Sequence, residues 1–166
     1  MELITHNLVA VIIQILCFRF LIFPLAIIFT IIFAYISHLV VDALSKITYH
    51  TPDAHTDDKF WLMWHIIIYS VSLISLVVFI VPFWLGILFA NIIDITDWFI
   101  LRPLRKRRSI RQIGVNEQKL WYAHKHADWI RKKFFFWLPD LTYKYAGVSI
   151  EIILIISLSV IIFFII

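Results

Sequence analysis

His38 and Asp42 stand four residues apart in one apolar run, and Asp94 and Asp97 stand three apart in another. Residues at these spacings share a helical face, so each pair presents two polar groups to one side. His6 and His65 each add an imidazole from the other half of one of these two runs, and His124 with Asp128 repeats the His-x-x-x-Asp spacing on a more polar stretch. Imidazole and carboxylate are the ligand set of a zinc-like divalent ion. Such an ion neutralises carboxylates that are otherwise expensive among apolar residues. It also lowers the pKa of bound water to near 7 and so provides hydroxide as a nucleophile. His6, His38, Asp42, His65, Asp94 and Asp97 exceed the four ligands of one tetrahedral ion. Either some of them are bases or orienting groups, or two ions are held.

These residues sit in a chain that is 62% hydrophobic and 16% charged, with three glycines in 166 residues. Globular norms are roughly 45–50% and 25%. With a mean hydropathy of +0.91, the composition excludes a water-soluble globule and a disordered chain alike. An all-α polytopic membrane protein of one domain is expected. Cys17 is the single cysteine, so no internal disulfide and no thiolate metal site is expected.

Leu3 to Leu44 is apolar for 42 residues, twice what a membrane-crossing helix needs, and Phe60 to Leu101 is another 42. Pro24 and Pro82 lie near their midpoints and mark the reversals. The spans are expected at 3–20, 24–45, 60–81 and 83–101. A basic loop follows over 102–116, then an interfacial amphipathic helix over 117–138 stopped by Pro139, and a C-terminal anchor span over 148–166 with no polar face. The helix's apolar side is Leu120, Ala123, Ala127, Ile130 and Phe134, with Trp121, Trp129 and Trp137 at headgroup depth. Ile22-Phe23-Pro24-Leu25 and Ile80-Val81-Pro82-Phe83 hint that the two hairpins are a duplicated unit.

No Lys or Arg precedes Arg19, which argues against a cleaved signal peptide and for a first helix that is retained. Arg102 through Lys133 hold 11 of the 15 basic residues, with only Glu117 and Asp128 as acids. If both hairpins reverse on one side, 14 of the 15 Lys and Arg fall on the other. The positive-inside rule then places the N-terminus and the basic loop in the cytoplasm, in a plasma or inner membrane. His6, His38, Asp42, His65, Asp94 and Asp97 come to lie roughly 6–12 Å from that end of their spans. The outer halves offer little beyond Gln14, Cys17, Thr30 and a few serines.

Ile4-Thr5-His6 and Tyr35-Ile36-Ser37-His38-Leu39-Val40-Val41-Asp42-Ala43-Leu44-Ser45 resemble the Thr-His and Ser-His-Leu-x-x-Asp-x-x-Thr/Ser signatures of the LexA-binding, inner-membrane-associated hydrolases, often described as membrane-bound metal-dependent hydrolases. Gly86 to Trp98, with Ile93-Asp94-Ile95-Thr96-Asp97-Trp98, is similar to that family's Gly-rich span ending Pro-Asp-x-Asp. The resemblance covers residues 1 to about 100, in altered motif order. It implies metal ligation by His6, His38, Asp42 and Asp94, and a hydrolytic activity.

The expected site therefore has a divalent ion, zinc by its ligand types, held by His6, His38, Asp42, Asp94 and His124. Asp97, His65 and Asp128 are the expected catalytic or orienting groups. Arg102, Arg105, Arg107 and Arg108 are expected to hold a substrate phosphate, or else to serve only as a topology signal touching anionic lipid. The expected function is hydrolysis of a lipid or membrane-associated phosphoester or ester. A non-catalytic membrane subunit and a proton- or cation-coupled transporter are the alternatives. Expected partners are membrane lipid and a second copy or another membrane protein, without nucleic acid. His50, Asp53, His55, Asp57 and Asp58 crowd the loop after the His38 span, as solvated residues or as a lid.

Overall fold

The two prolines divide the long apolar runs as their chemistry requires. The computed structural model describes residues 1–51, 55, 57–101, 103–104 and 124–166. Helix α1 spans Leu3–Phe20, and α2 spans Phe23–Leu44 and continues as a 3-10 turn over Ser45–Ile47. Leu21 and Ile22 between them are extended, and Pro24 falls in the first turn of α2, where a missing N–H costs nothing. Helix α3 is Lys59–Phe79 and α4 is Trp84–Thr96, which continues as a π turn over Asp97–Leu101. Helix α5 is Lys125–Phe134 and α6 is Ala146–Ile165. Among the described residues, five helices, α4 counted with its π turn, are long and apolar enough to cross a membrane. Their 18 to 25 residues match a hydrocarbon core of roughly 30 Å. The protein is an all-α polytopic membrane protein.

Helix α1 is the centre of the bundle and packs against α2, α3, α4 and α6. In lipid an apolar side chain gains little by turning inward, so a buried polar face marks the interior more sharply than a buried apolar one. Thr5, His6, Asn7 and Gln14 of α1 are all buried. Asn7 Nδ2 donates to Ser75 Oγ of α3 at 2.9 Å, and Asn91 Nδ2 of α4 donates to Asn7 Oδ1 at 2.9 Å. The Gly86 N–H donates to Gln14 Oε1 at 2.7 Å. Around these bonds Ile4, Leu8 and Val11 interlock with Ala34, Ile68, Ile87, Ala90 and Ile162.

The duplication suggested by the two proline turns does not extend to packing. The first hairpin closes tightly, but α3 and α4 touch little, and α4 lies instead on α1 and α2. Asn7 of α1 bonds to both helices of the second hairpin.

The C-terminal run is corrected on one point: α6 does carry a polar group toward the bundle. Glu151 is fully buried and its Oε1 accepts from Thr5 Oγ1 of α1 at 3.0 Å. One turn earlier, Gly147 lies on the chain after α2. A Cβ there would stand 2.5 Å from the Tyr49 nitrogen and 2.6 Å from the Thr48 carbonyl carbon, both main-chain atoms that cannot swing aside. Gly147→Ala is expected to cost about 2–3 kcal/mol through overpacking. That corresponds to a fall of about 4–12 °C in the thermal transition. An unchanged transition in detergent would show that α6 is not seated on this loop.

Of the interfacial helix expected over 117–138, α5 forms Lys125–Phe134, and the chain leaves the helix at Phe135, short of the stop expected at Pro139; 117–123, with Leu120, Trp121 and Ala123, lie outside the described residues. Ala127 is buried against α2 and Ile130 is half-buried, but Phe134 faces outward. Trp129 and Trp137 are exposed, as headgroup-depth aromatics are. Arg19 Nη1 donates to the Ile165 carbonyl at the opposite end of α1 from Met1. The odd number of spans thus separates the two chain ends across the bundle.

Candidate metal centre

Four side chains from α2, α4 and the start of α5 converge near the Met1 end of the bundle. His38 and Asp42 come from successive turns of α2, Asp94 from the last turn of α4, and His124 from the residue preceding α5. One ligand atom from each lies within 4.8 Å of all the others. His38 Nε2 is 3.2 Å from Asp42 Oδ2 and 3.7 Å from Asp94 Oδ1. His124 Nε2 is 3.1 Å from Asp42 Oδ2 and 3.0 Å from Asp94 Oδ1. A tetrahedral ion with bonds of about 2.0–2.1 Å separates its ligands by about 3.3–3.4 Å. The four measured edges bracket that value.

The directions of approach agree with the distances. Both ring nitrogens of His38 are buried and make no hydrogen bond, although Nε2 lies so near two carboxylates. A buried ring nitrogen ordinarily finds a partner. Here the nitrogen lies beside the carboxylate oxygens without aiming a hydrogen at them, as donors sharing a central ion do. His124 differs, since its Nε2 donates to Asp94 Oδ1. The cluster can hold a metal ion.

His6 lies against this group and not within it. Its ring stacks on His38 with centroids 4.3 Å apart, and its Nε2 is 3.1 Å from Asp42 Oδ1, the oxygen turned away from the four. The Met1 amine is 3.3 Å from the same oxygen. Asp42 is therefore the hub, with one oxygen toward the cluster and the other toward α1.

His124, outside the spans, has its imidazole pKa pushed up to about 10, because the hydrogen-bonding approach of Asp42 and Asp94 outweighs burial. In its protonated form this imidazole offsets part of the charge of the two carboxylates. A divalent ion taking over that role must displace the proton.

None of the expected catalytic residues is one of the four donors, although Asp128 lines the same cavity. His65 stacks on Trp61 at 4.0 Å and its Nδ1 donates to the Trp61 carbonyl at 2.8 Å, outside the four-atom group. Asp97 is buried where α4 passes into its π turn, a winding common near functional sites, and is also not one of the four. Asp128 Oδ1 accepts from Arg131 Nη1 at 3.0 Å. Arg102, Arg105, Arg107 and Arg108, with Asp53, lie outside the described residues.

Two contributors escaped the sequence reading. Arg131 donates from Nη2 to the Asp42 carbonyl at 2.7 Å and to Ser45 Oγ at 3.0 Å, and from Nε to the Ala43 carbonyl at 3.2 Å. It fastens α5 to the end of α2. Glu2 is buried and joined to His50. Asp42, Asp94 and His124 open on a cavity of about 910 Å³, whose wall also includes Glu2, Lys46, His50, Asp128 and Lys132. His38 is fully buried behind them.

No family model, curated protein or solved structure matches the chain.

Proposed function

We propose that the protein is a membrane-embedded, metal-dependent hydrolase acting on a lipid or membrane-associated phosphoester or ester. The observation that carries this reading is the four-donor cluster at ligand spacing, with the buried, unbonded His38 nitrogen at its back and a cavity at its front. Two imidazoles and two carboxylates suit zinc. Such an ion supplies hydroxide near neutral pH and polarises the scissile group. His38 and Asp42 form the rigid rear of the site. Asp94 and His124, both partly open to the cavity, leave room for substrate beside them.

A lipid substrate is favoured because charged and aromatic groups share the cavity wall, Lys46 and Lys132 with Trp98 and Phe136. An amphiphile offers both a phosphate and a hydrocarbon part to such a wall. Kinship with the LexA-binding, inner-membrane-associated hydrolases belongs to the same proposal, as does a cytoplasmic orientation of the cavity, since Lys46, Arg131 and Lys132 line it while Arg19 lies at the opposite end of α1. Transport has less support. Asn7, Asn91, Ser75 and Gln14, which lead from the inner site toward the outer half, are amides and a hydroxyl, none of which carries a charge across.

The test is metal content by mass spectrometry on protein purified without chelator, together with hydrolysis of long-chain phosphoesters and esters in nanodiscs. Wild type is expected to hold about one equivalent of a transition metal and to turn over substrate. His38→Ala should lose both while remaining folded. Full retention of both by that variant would sink the proposal.

A further inference from the structure

The four donors account for holding an ion; moving a proton to the leaving group is a separate task, for a side chain beside them. His65 is committed to Trp61 and Asp128 to Arg131. The cavity wall holds one further imidazole on a carboxylate. His50 Nδ1 donates to Glu2 Oε1 at 3.1 Å, and both residues line the cavity shared by Asp42, Asp94 and His124.

This pair is built into the fold. Glu2 is 4% exposed. Burial works to keep its carboxyl neutral, but the His50 hydrogen bond and nearby positive charge win and hold its pKa below the ordinary value. His50 is fixed through its main chain, since its N–H donates to the Thr142 carbonyl at 3.2 Å. The neighbouring Leu141 N–H donates to the Lys46 carbonyl at 2.7 Å. Next to it Tyr49 is buried, packed edge-on against Phe60. The His50 side chain itself is 45% exposed. With Nδ1–H given to Glu2, the neutral ring keeps its lone pair on Nε2, and a carboxylate behind an imidazole stabilises the imidazolium that forms when Nε2 takes a proton.

Resting on the hydrolase reading above, we propose that His50, oriented by Glu2, is the proton-transfer residue of this site. As the water oxygen bonds to the phosphorus or carbonyl carbon, His50 Nε2 accepts the water's proton. As the bond to the leaving alkoxide breaks, the imidazolium returns that proton to the alkoxide oxygen. Ester and water become acid and alcohol, and His50 ends neutral. Glu2 is a positioning residue, acting through the ring.

The experiment uses the full chain in detergent, loaded with zinc, and two probes, bis(4-nitrophenyl) phosphate and 4-nitrophenyl butyrate. For His50→Gln, kcat on the active probe should fall by about 10²–10⁴, with KM little changed and bound zinc equal to wild type. Glu2→Gln, which keeps an acceptor for Nδ1 but no charge, should lose less, and added imidazole should restore part of the activity of His50→Ala. Turnover by His50→Gln within about threefold of wild type, or absence of imidazole rescue, would overturn the assignment. Loss of zinc from both His50→Gln and Glu2→Gln would also overturn it, by making the pair part of the ion's cage. Wild type that binds zinc and hydrolyses neither probe would instead remove the hydrolase reading, and this proposal with it.

Discussion

Asp42→Asn is expected to abolish metal binding. The substitution preserves shape and removes charge at the one residue that touches every imidazole of the site. Oδ2 lies 3.2 Å from His38 and 3.1 Å from His124, and Oδ1 lies 3.1 Å from His6. Four-ligand zinc sites bind with about 10–16 kcal/mol, so an average ligand is worth roughly 3 kcal/mol, on the order of 100-fold in affinity. A buried carboxylate exceeds the average, because its charge meets that of the ion in a weakly screening interior. Asp94→Asn should cost less, since the Asp94 side chain is 33% exposed and meets two imidazoles of the site, His124 at 3.0 Å and His38 at 3.7 Å, where Asp42 meets three. Stability falls in Asp42→Asn whether or not an ion is bound, because breaking a buried charge network costs about 3–5 kcal/mol. Metal equivalents per chain, not melting, are therefore the measurement that discriminates. A full equivalent retained at wild-type affinity would reduce the cluster to a hydrogen-bonded network of His and Asp.

How far the site could be read from the sequence depended on where each residue stood. His38 and Asp42 were legible because two polar groups at i and i+4 contrast with their apolar surroundings, and Asp94 because a carboxylate inside an apolar run demands a partner. His124 was legible through the repeated His-x-x-x-Asp spacing. His6 was placed beside the right residues, but spacing along a chain cannot tell which oxygen of Asp42 it faces. Glu2 and His50 lie in segments where charge needs no explanation. Their significance comes from the strapping of residues 46 and 50 to residues 141 and 142, a contact across nearly a hundred positions. Glu151 was missed by treating a strongly apolar run as featureless. The spans themselves followed from length and composition because lipid forces every buried backbone group into a helix. No such force dictates the π turn over Asp97–Leu101.

Arg131 was the least legible of all, since one arginine in a basic stretch reads as a topology signal. Its removal is nevertheless expected to disable the site without touching a ligand. Helix α2 ends at Leu44, and its last carbonyls have no partner within the helix. Arg131 supplies donors to the carbonyls of Asp42 and Ala43 and to Ser45 Oγ. Its positive charge at that helix end is also favourable to the dipole. Hydrogen bonds to a charged group contribute about 1.5–3 kcal/mol each, whereas the half-exposed pair with Asp128 adds at most about 1 kcal/mol. Arg131→Ala should therefore destabilise the protein by about 3–5 kcal/mol. Because the helix it fastens begins directly after His124, one donor should drift from the other three. Loss of such a supporting contact typically lowers metal affinity about 10–100-fold. Arg131→Lys provides the sharper comparison. It keeps the charge but replaces a planar fork spanning four acceptors with a single ammonium, so it should recover less than half of the lost affinity. If Arg131→Lys binds metal like wild type, charge alone holds α5 in place. If Arg131→Ala does so too, His124 is positioned by the packing of Ala127 on α2, and the arginine stabilises only the helix end.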